Sequence, residues 1–421
     1  MRSPAGGDNL YLSSIVALDA DTGRKKWHYQ TTPKDSWDYT ATQNMILADL
    51  KIGDRVRKVI MQAPKNGFFY VLDRVTGQLL SAEKYTTVTW AERVDMKTGR
   101  PILTKQGNFK DSEKLVWPSE AGGHNWPPMA YSPRTGLVYI PVLEAPMTFK
   151  TTPDPYRPYS SVQGSRTSLP GAARLFGAKV PETPGQPTPT FQAVLKAWDP
   201  VAQKMAWSSK PMPYWSGGVM ATGSGLVVQG SSDGYLTIYD GRDGKVVRRI
   251  NVGTGIMAAP MAYEVNGVEY LAVAAGFGGA LNSAHLPDTV AARRENGSRI
   301  LVFKLGASGE PKLPPLLPDT PLLPAPAAFR GTPAQVSHGE ALFNQNCARC
   351  HGGPDVASGY PNLWKMTPET HRAFLKIVLE GAYADFGMAS FKDVLSARDA
   401  TDIHAFLAEP TEHPKPKPRI H

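Results

Sequence analysis

Cysteine is nearly absent from this chain: 421 residues contain only Cys347 and Cys350. That excludes a disulfide framework as the source of stability. Long apolar runs are missing too. No stretch of about 18 apolar residues occurs, so the sequence offers no candidate transmembrane helix. The opening residues, Met1-Arg2-Ser3-Pro4-Ala5-Gly6-Gly7-Asp8-Asn9, lack the apolar core of a secretory leader. There is no long basic block either. The net charge of +9 is spread along the chain, which reads as a solvated surface and not as a nucleic-acid footprint. Docking to an acidic redox partner is a second use for such a surface.

The two cysteines that are present stand in Cys347-Ala348-Arg349-Cys350-His351. Two thiols that can bond the vinyl groups of a porphyrin are followed at once by an imidazole that can ligate iron, the pattern of c-type haem attachment. The competing readings are a structural zinc site or a buried disulfide. A closed zinc site needs about four protein ligands, and there is no further cysteine to supply them. The spacing therefore predicts a covalent haem c, with His351 as the proximal ligand. Met388, 37 residues on in Phe386-Gly387-Met388-Ala389-Ser390-Phe391, is the candidate sixth ligand, with Met366 as its rival. A thioether ligand raises the haem potential and suits electron transfer.

Glycine and proline are plentiful, at 39 and 38 residues, beside nine tryptophans. Such a chain favours short strands and many turns. A repeat runs through residues 10–305: Ile15-Val16-Ala17-Leu18-Asp19 with Gly23, Tyr70-Val71-Leu72-Asp73 with Gly77, Leu195-Lys196-Ala197-Trp198-Asp199, and Ile238-Tyr239-Asp240 with Gly244. Each is an apolar strand, an aspartate and a turn, then a strand opened by lysine or an aromatic. Hairpins repeated in this way suggest propeller blades, which bury their faces by stacking on neighbours; an unrelated all-β sandwich is the alternative. Residues 145–190, rich in Pro, Thr, Ser and Gly, read as a long inserted loop. Residues 307–335 read as an extended proline-rich linker. Residues 336–409 read as helical, with Thr367 capping one helix and Ile403, Phe406 and Leu407 sharing a face of another.

Several polar residues fall on loops of the β region. Asp38, between Trp37 and Tyr39, is either a general base or a turn residue. Lys65, in Pro64-Lys65-Asn66-Gly67, taken alone is a solvated lysine. Gly122-Gly123-His124-Asn125-Trp126-Pro127 and Tyr214-Trp215-Ser216-Gly217-Gly218 hold either core tryptophans or stacking platforms.

Taken in order, Trp27-His28-Tyr29-Gln30, Trp37-Asp38-Tyr39, Ala63-Pro64-Lys65-Asn66-Gly67-Phe68, His124-Asn125-Trp126 and Gly276-Phe277-Gly278-Gly279, then a proline-rich linker and a haem motif, resemble the quinohaemoprotein alcohol dehydrogenases. These enzymes use pyrroloquinoline quinone (PQQ). The resemblance covers nearly the whole chain. It implies a mainly β fold: part of an eight-bladed PQQ-type β-propeller over 1–306, the linker 307–335, a small all-α class I-like cytochrome c domain over 336–409, and a frayed tail over 410–421. It implies PQQ, Ca²⁺ and haem c as cofactors. Asp38 matches the base that takes the alcohol proton and touches Ca²⁺. Lys65 matches the residue that hydrogen-bonds the quinone oxygens. Asn125 and Trp126 match contacts near the ring, and Trp215, Gly279 and Ala280 match further ones. A small alcohol is the implied substrate; polymer alcohols, sugars and cyclic ethers are variants of it. A cytochrome, copper protein or quinone is the implied downstream acceptor, and the periplasm the implied compartment. Residues 1–306 supply only about six blades at roughly 40–50 residues each. The expectation is therefore a chain truncated at its N-terminus, with an incomplete calcium site, that holds PQQ poorly. The competing reading is an electron-transfer cytochrome on a degenerate propeller scaffold.

Overall fold

One device closes hairpin after hairpin in the β region: an aspartate ends a strand, and a residue in the left-handed conformation follows four positions on. Asp19 Oδ1 accepts the N–H of Thr22 at 3.0 Å, and Gly23, at φ +67°, donates to the Asp19 carbonyl at 2.9 Å. The pairs Asp73–Gly77, Asp95–Gly99 and Asp240–Gly244 repeat it. At Asp199 the fourth position is Gln203, at φ +51°. The carboxylate mimics a turn's own backbone acceptor. Asp95–Gly99 is a fifth copy, beyond the four legible in the sequence.

The computed structural model describes residues 6–151, 165–168, 184–213, 215–276, 290–317, 323, 325–351 and 360–409. They fall into two compact units, one carried by described residues up to Leu317 and the other by those from Leu323 on. In the first unit all strand pairs among the described residues are antiparallel. Strands β1 (Ser14–Leu18) and β2 (Lys25–Gln30) form a ribbon. Strands β3 (Ile46–Ile52), β4 (Arg55–Gln62), β5 (Phe68–Asp73) and β6 (Leu79–Lys84) form a meander. Strands β7 (Ala91–Asp95) and β8 (Arg100–Leu103) form a second ribbon. Next come β9 (Lys114–Val116), β10 (Ala130–Ser132), β11 (Leu137–Glu144), β12 (Met147–Thr151), β13 (Ser165–Ser168), β14 (Gln192–Asp199), β15 (Lys204–Ser208) and β16 (Met212–Pro213). Strand β12 lies between β9 and β13, while β10, β11, β14 and β15 form one sheet with β16 on β14. A second meander holds β17 (Ser216–Ala221), β18 (Leu226–Ser231), β19 (Tyr235–Asp240) and β20 (Val246–Asn251). The last sheet holds β21 (Met261–Val265), β22 (Val268–Ala275) and β23 (Arg299–Lys304).

The sheets stack face to face. On β5, Phe68, Tyr70 and Leu72 enter one buried cluster with Trp37, Tyr39 and Trp90. Phe69 and Val71, on the other face, enter a second cluster with Val138, Ile140 and Val142 of β11. Leu137 and Tyr139 of β11 then meet Val227 and Tyr239 of the next meander, whose Val228 and Leu236 meet Val273 of β22. Strands buried on both faces read as continuous apolar runs, as Phe68–Leu72 does. An aromatic of one sheet also roofs the glycine turn of a later one. The Trp27 indole lies on Gly77 and donates to Arg74 O at 3.2 Å. The Trp207 indole lies on Gly244 and donates to Gly241 O at 2.9 Å. Tyr29 donates to Gly99 O at 2.8 Å. A side chain at Gly77 would collide with the indole.

Part of the expected 145–190 loop is strand: Met147 and Phe149 of β12 are buried in alternation. Residues 152–164 and 169–183 lie outside the described residues. The first stretch of the expected linker is laid along the first unit. Arg294 donates to Pro314 O at 2.7 Å, Glu295 N to Pro315 O at 2.9 Å and Leu317 N to Arg293 O at 2.9 Å.

The second unit is helical: α1 (Pro333–Asn346), the one-turn α2 (Ala348–His351), α3 (Pro368–Glu380) and α4 (Ala397–Ala408). Thr332 and Gln335 form a capping box at α1, and Ser396 and Asp399 form another at α4. Thr367 caps α3, as its sequence predicts, and Pro368 follows at the first turn. Ile403 and Leu407 of α4 are buried, and Phe406 packs edge-on to Trp364.

Candidate functional sites in the two units

Lys34 to Thr40 lie in the loop, residues 31–45, that joins β2 to β3. Trp37 and Tyr39 are sunk in the first core cluster, their rings stacked at 5.7 Å. Trp37 also meets Trp90 at 4.9 Å, and the Tyr39 hydroxyl donates to Pro118 O at 2.5 Å. Burial, together with the nearby Asp35 charge, raises the Tyr39 hydroxyl well above its usual range. Asp38, between two inward rings, turns outward, with 44% of its side chain exposed and its backbone at φ +66°.

Lys65 arrives from the turn before β5. Its ammonium donates to Asp38 Oδ2 at 3.2 Å and to the Asp38 carbonyl at 3.1 Å. The lysine is buried, and Gly122 (φ +82°) lies against its stem, where any side chain would collide with it. Gly123 N donates to Lys65 O at 3.0 Å. The two glycines thus explain how the 119–129 loop approaches Lys65 so closely.

The same loop presents Asn125 and Trp126. Asn125 Nδ2 donates to Ala121 O at 2.7 Å, and its Oδ1 accepts the Trp126 N–H at 2.8 Å, so the amide shapes its own turn. Trp126 is 46% exposed, and its ring centroid lies 6.5 Å from that of the buried Trp215. Trp215 has φ +85°. His124 is fully buried, with Nδ1 2.8 Å from Ala63 O and Nε2 2.7 Å from Pro127 O. Burial pushes its pKa down against the pull of the two carbonyls. It fastens the Asn125–Trp126 turn to the segment that leads into Lys65. Asn44 and Met129 exchange two hydrogen bonds of 3.0 Å, which tie this loop to the one carrying Asp38.

The first unit therefore brings together Asp38 and Lys65, and separately Trp126 and Trp215. Gly279 and Ala280 lie outside the described residues. Sequence reasoning gave no role to Asp35, to His124, or to Gln43, whose Nε2 donates to His124 O at 3.2 Å, or to Asn44. The spacing of Asp35 to Trp37, an aspartate two residues ahead of a buried aromatic, is the signal that could have found the first. The Lys65 ammonium suits an anionic oxygen ligand, and the exposed Trp126 indole face suits a planar ring. No cluster of three or more His, Cys, Asp or Glu gathers among the described residues.

In the second unit Cys347 and His351 are buried and Cys350 is half-buried, on one turn of helix. Both cysteines are free thiols. Burial, with Cys350 alongside, pushes the Cys347 thiol up to about 12. His351 Nδ1 donates to Pro361 O at 2.8 Å, which leaves Nε2 as the ligating atom. A backbone carbonyl on the far nitrogen is a usual way to orient a histidine ligand. Burial lowers the His351 pKa and favours the neutral, ligating form. Trp364 Nε1 is buried with no hydrogen-bond partner among the described residues, a donor available to an acidic group. Met388 is half-buried in a turn where its N–H donates to Tyr383 O at 3.1 Å, whereas Met366 is buried in the core. Thiols, oriented imidazole and orphan indole donor fit a haem.

Comparison with known proteins adds the following. The profile described as glucose/ethanol/alcohol dehydrogenase, beta-propeller domain, matches residues 2–95. The profile described as cytochrome C oxidase, cbb3-type, subunit III, matches residues 334–407. Quinohemoprotein alcohol dehydrogenase ADH IIB of Pseudomonas putida is 41% identical over 97% of this chain and 57% of its own length. The solved structure of ADHIIG from Pseudomonas putida HK5 is 42% identical, with a TM-score of 0.81 over 97% of this chain and 59% of that one. The Comamonas testosteroni quinohemoprotein alcohol dehydrogenase structure is 37% identical, with a TM-score of 0.81 over 97% and 58%. The chain spans a little over half the length of these relatives.

Proposed function

The chain belongs to the quinohaemoprotein alcohol dehydrogenases, and from that premise we propose that it takes part in oxidising a small alcohol with PQQ and passes the electrons to a covalent haem c. The observation that carries this reading is the Asp38–Lys65 contact: a half-exposed carboxylate held 3.2 Å from a buried ammonium. A scaffold that only presented a haem would have no use for it.

When bound, PQQ supplies two-electron carbonyl chemistry and haem c a one-electron exit. The work of the chain is to hold and orient. Asp38 Oδ is open to solvent on one side and accepts the alcohol's hydroxyl proton. General-base help of this kind contributes about 10²–10⁴ in rate. Lys65 keeps that carboxylate in place and offers its remaining donors to oxygens of the quinone. Trp126 and Trp215 give flat apolar surface that excludes water. Asn125 sets the turn that aims Trp126, and Gly279 and Ala280 are assigned backbone contacts by family likeness. Calcium is typical of the family; Asp38 is proposed as one of its ligands, and no step is assigned to the metal.

Cys347 and Cys350 would hold the haem through thioether links, with His351 as the proximal ligand and Met388 as the sixth. The full assembly is an eight-bladed propeller to which residues 1–306 contribute, joined through 307–335 to a class I-like cytochrome over 336–409. No helix among the described residues is long and apolar enough to cross a membrane. We assign the protein to the periplasm, because haem c is normally attached outside the cytoplasm, and propose a cytochrome, copper protein or quinone as the next acceptor.

The test is to titrate the 421-residue chain with PQQ and Ca²⁺, add alcohol and record the haem absorption bands. Haem reduction that needs quinone, calcium and alcohol together supports the reading. Reduction that proceeds without quinone, or without alcohol, refutes it.

A further inference from the structure

Asp35 is fully buried, three residues ahead of Asp38. Its Oδ1 accepts two backbone N–H groups, from Trp37 at 3.0 Å and from Tyr39 at 3.0 Å. Its Oδ2 accepts the Ser13 hydroxyl at 3.3 Å. Acceptance from the amide two residues on makes an Asx turn. The second contact, to the amide four residues on, is more than that turn requires.

The two amides bracket the Trp37–Asp38 pair, and Asp38 stands at φ +66°. Left-handed backbone is strained for a residue with a Cβ and persists only where its surroundings over-determine it. The surroundings here are specific. One carboxylate oxygen grips the chain before and after Asp38, while the rings on either side are buried at 5% and 0% exposure. Beyond them, Gln62 Nε2 donates to Ala41 O at 3.0 Å and Gln43 O at 2.8 Å. With Trp37 and Tyr39 fixed inward, the left-handed residue between them is left facing Lys65.

We infer that Asp35 is a positioning residue for Asp38: its buried carboxylate imposes the left-handed turn that presents the Asp38 carboxylate to Lys65 and to the open side of the site. What the turn needs is an acceptor at Oδ1, so asparagine can replace aspartate where alanine cannot. The catalytic meaning of the inference rests on the proposed base role of Asp38; its structural content does not.

The experiment is amide hydrogen exchange, read by mass spectrometry on the full chain over the peptide 34–44, with the peptide 235–251 as a control for folding. Asp35→Ala speeds exchange of the Trp37 and Tyr39 amides by roughly 100-fold, as expected of a local opening, while the control is unchanged. Asp35→Asn stays within about threefold of the parent chain, the margin expected when the acceptor survives. In reconstituted protein, Asp35→Ala slows alcohol-driven haem reduction by roughly 100-fold with little change in alcohol affinity, and Asp35→Asn restores most of it. Unchanged exchange in Asp35→Ala, or equal loosening in Asp35→Asn with the control intact, overturns the inference. If Asp35→Ala does not fold, Asp35→Asn decides alone: protection kept supports the turn, protection lost overturns it. Asp38→Asn separates the two readings. Parent-like haem reduction in that variant ends the base role but leaves the Asp35 turn standing, because exchange reports the backbone and not the chemistry.

Discussion

Between Cys347 and His351, five consecutive residues carry both thiols and the imidazole, and a single turn of helix sets their spacing. Asp38, Lys65, Trp126 and Trp215 instead come from four loops far apart in sequence, each held by a different neighbour. The first site is built from local geometry and survives as long as one helical turn does. The second exists only while whole sheets keep their stacking. A site of the first kind can be read from a motif, whereas a site of the second kind is a property of the packing.

The sharpest way to break this contrast is to remove the local site. Replacing Cys347 and Cys350 by Ala abolishes covalent haem, seen as loss of haem staining after denaturing electrophoresis, and leaves the thermal transition of the β unit in place. A β unit that unfolds with the haem would end the idea of independent construction. Next in size, Asp38→Asn slows alcohol-driven haem reduction by about 10³-fold, inside the range for a general base, with the haem spectrum unaltered. A drop of less than about tenfold would place the proton acceptor elsewhere, since base catalysis contributes at least about 10². Third, Trp207→Ala lowers the stability of the β unit by about 3 kcal/mol, the usual cost of truncating a buried aromatic, measured by urea unfolding. If the loss is within about 0.5 kcal/mol, as for an ordinary surface position, the roof over Gly244 contributes nothing.

The smallest effect is on pH. His371 Nδ1 and His404 Nε2 lie 2.8 Å apart, buried between α3 and α4, with Phe329 and Phe374 stacked on His404. Burial first, and the neighbouring His371 second, bring His404 down to about 4, against about 6.5 for a free imidazole. The unfolded chain thus takes the proton first as pH falls. The contribution of the neutral pair is complete above about 6.5 and is lost as pH falls through about 4. The melting temperature of the helical unit declines across that window, and His404→Gln flattens the slope. An unchanged slope in that variant assigns the decline to other groups.

The same contrast governs what could be read in advance. The haem motif, the Thr367 cap and four Asp turns are local patterns, and the sequence displays them. The Asp95–Gly99 turn escaped because Ala91-Glu92-Arg93-Val94 before it is half charged, so no apolar strand announces it. Lys65 looked solvated because nothing local shows that Gly122, 57 residues later, would cover its stem. Asp35 and His124 act on backbone groups brought near only by the fold. The Asn125 amide is engaged within its own turn, a contact that its sequence neighbours do not announce.

The aromatic roofs carry a consequence for how the β unit is made. In each case the ring comes earlier in the chain than the turn it covers: Trp27 before Gly77, Tyr29 before Gly99, Trp207 before Gly244. A chain leaving the ribosome presents its N-terminal end first. Each of these three turns therefore emerges to find its ring already made, and for them the direction of translation is also the direction in which the sheets can be added.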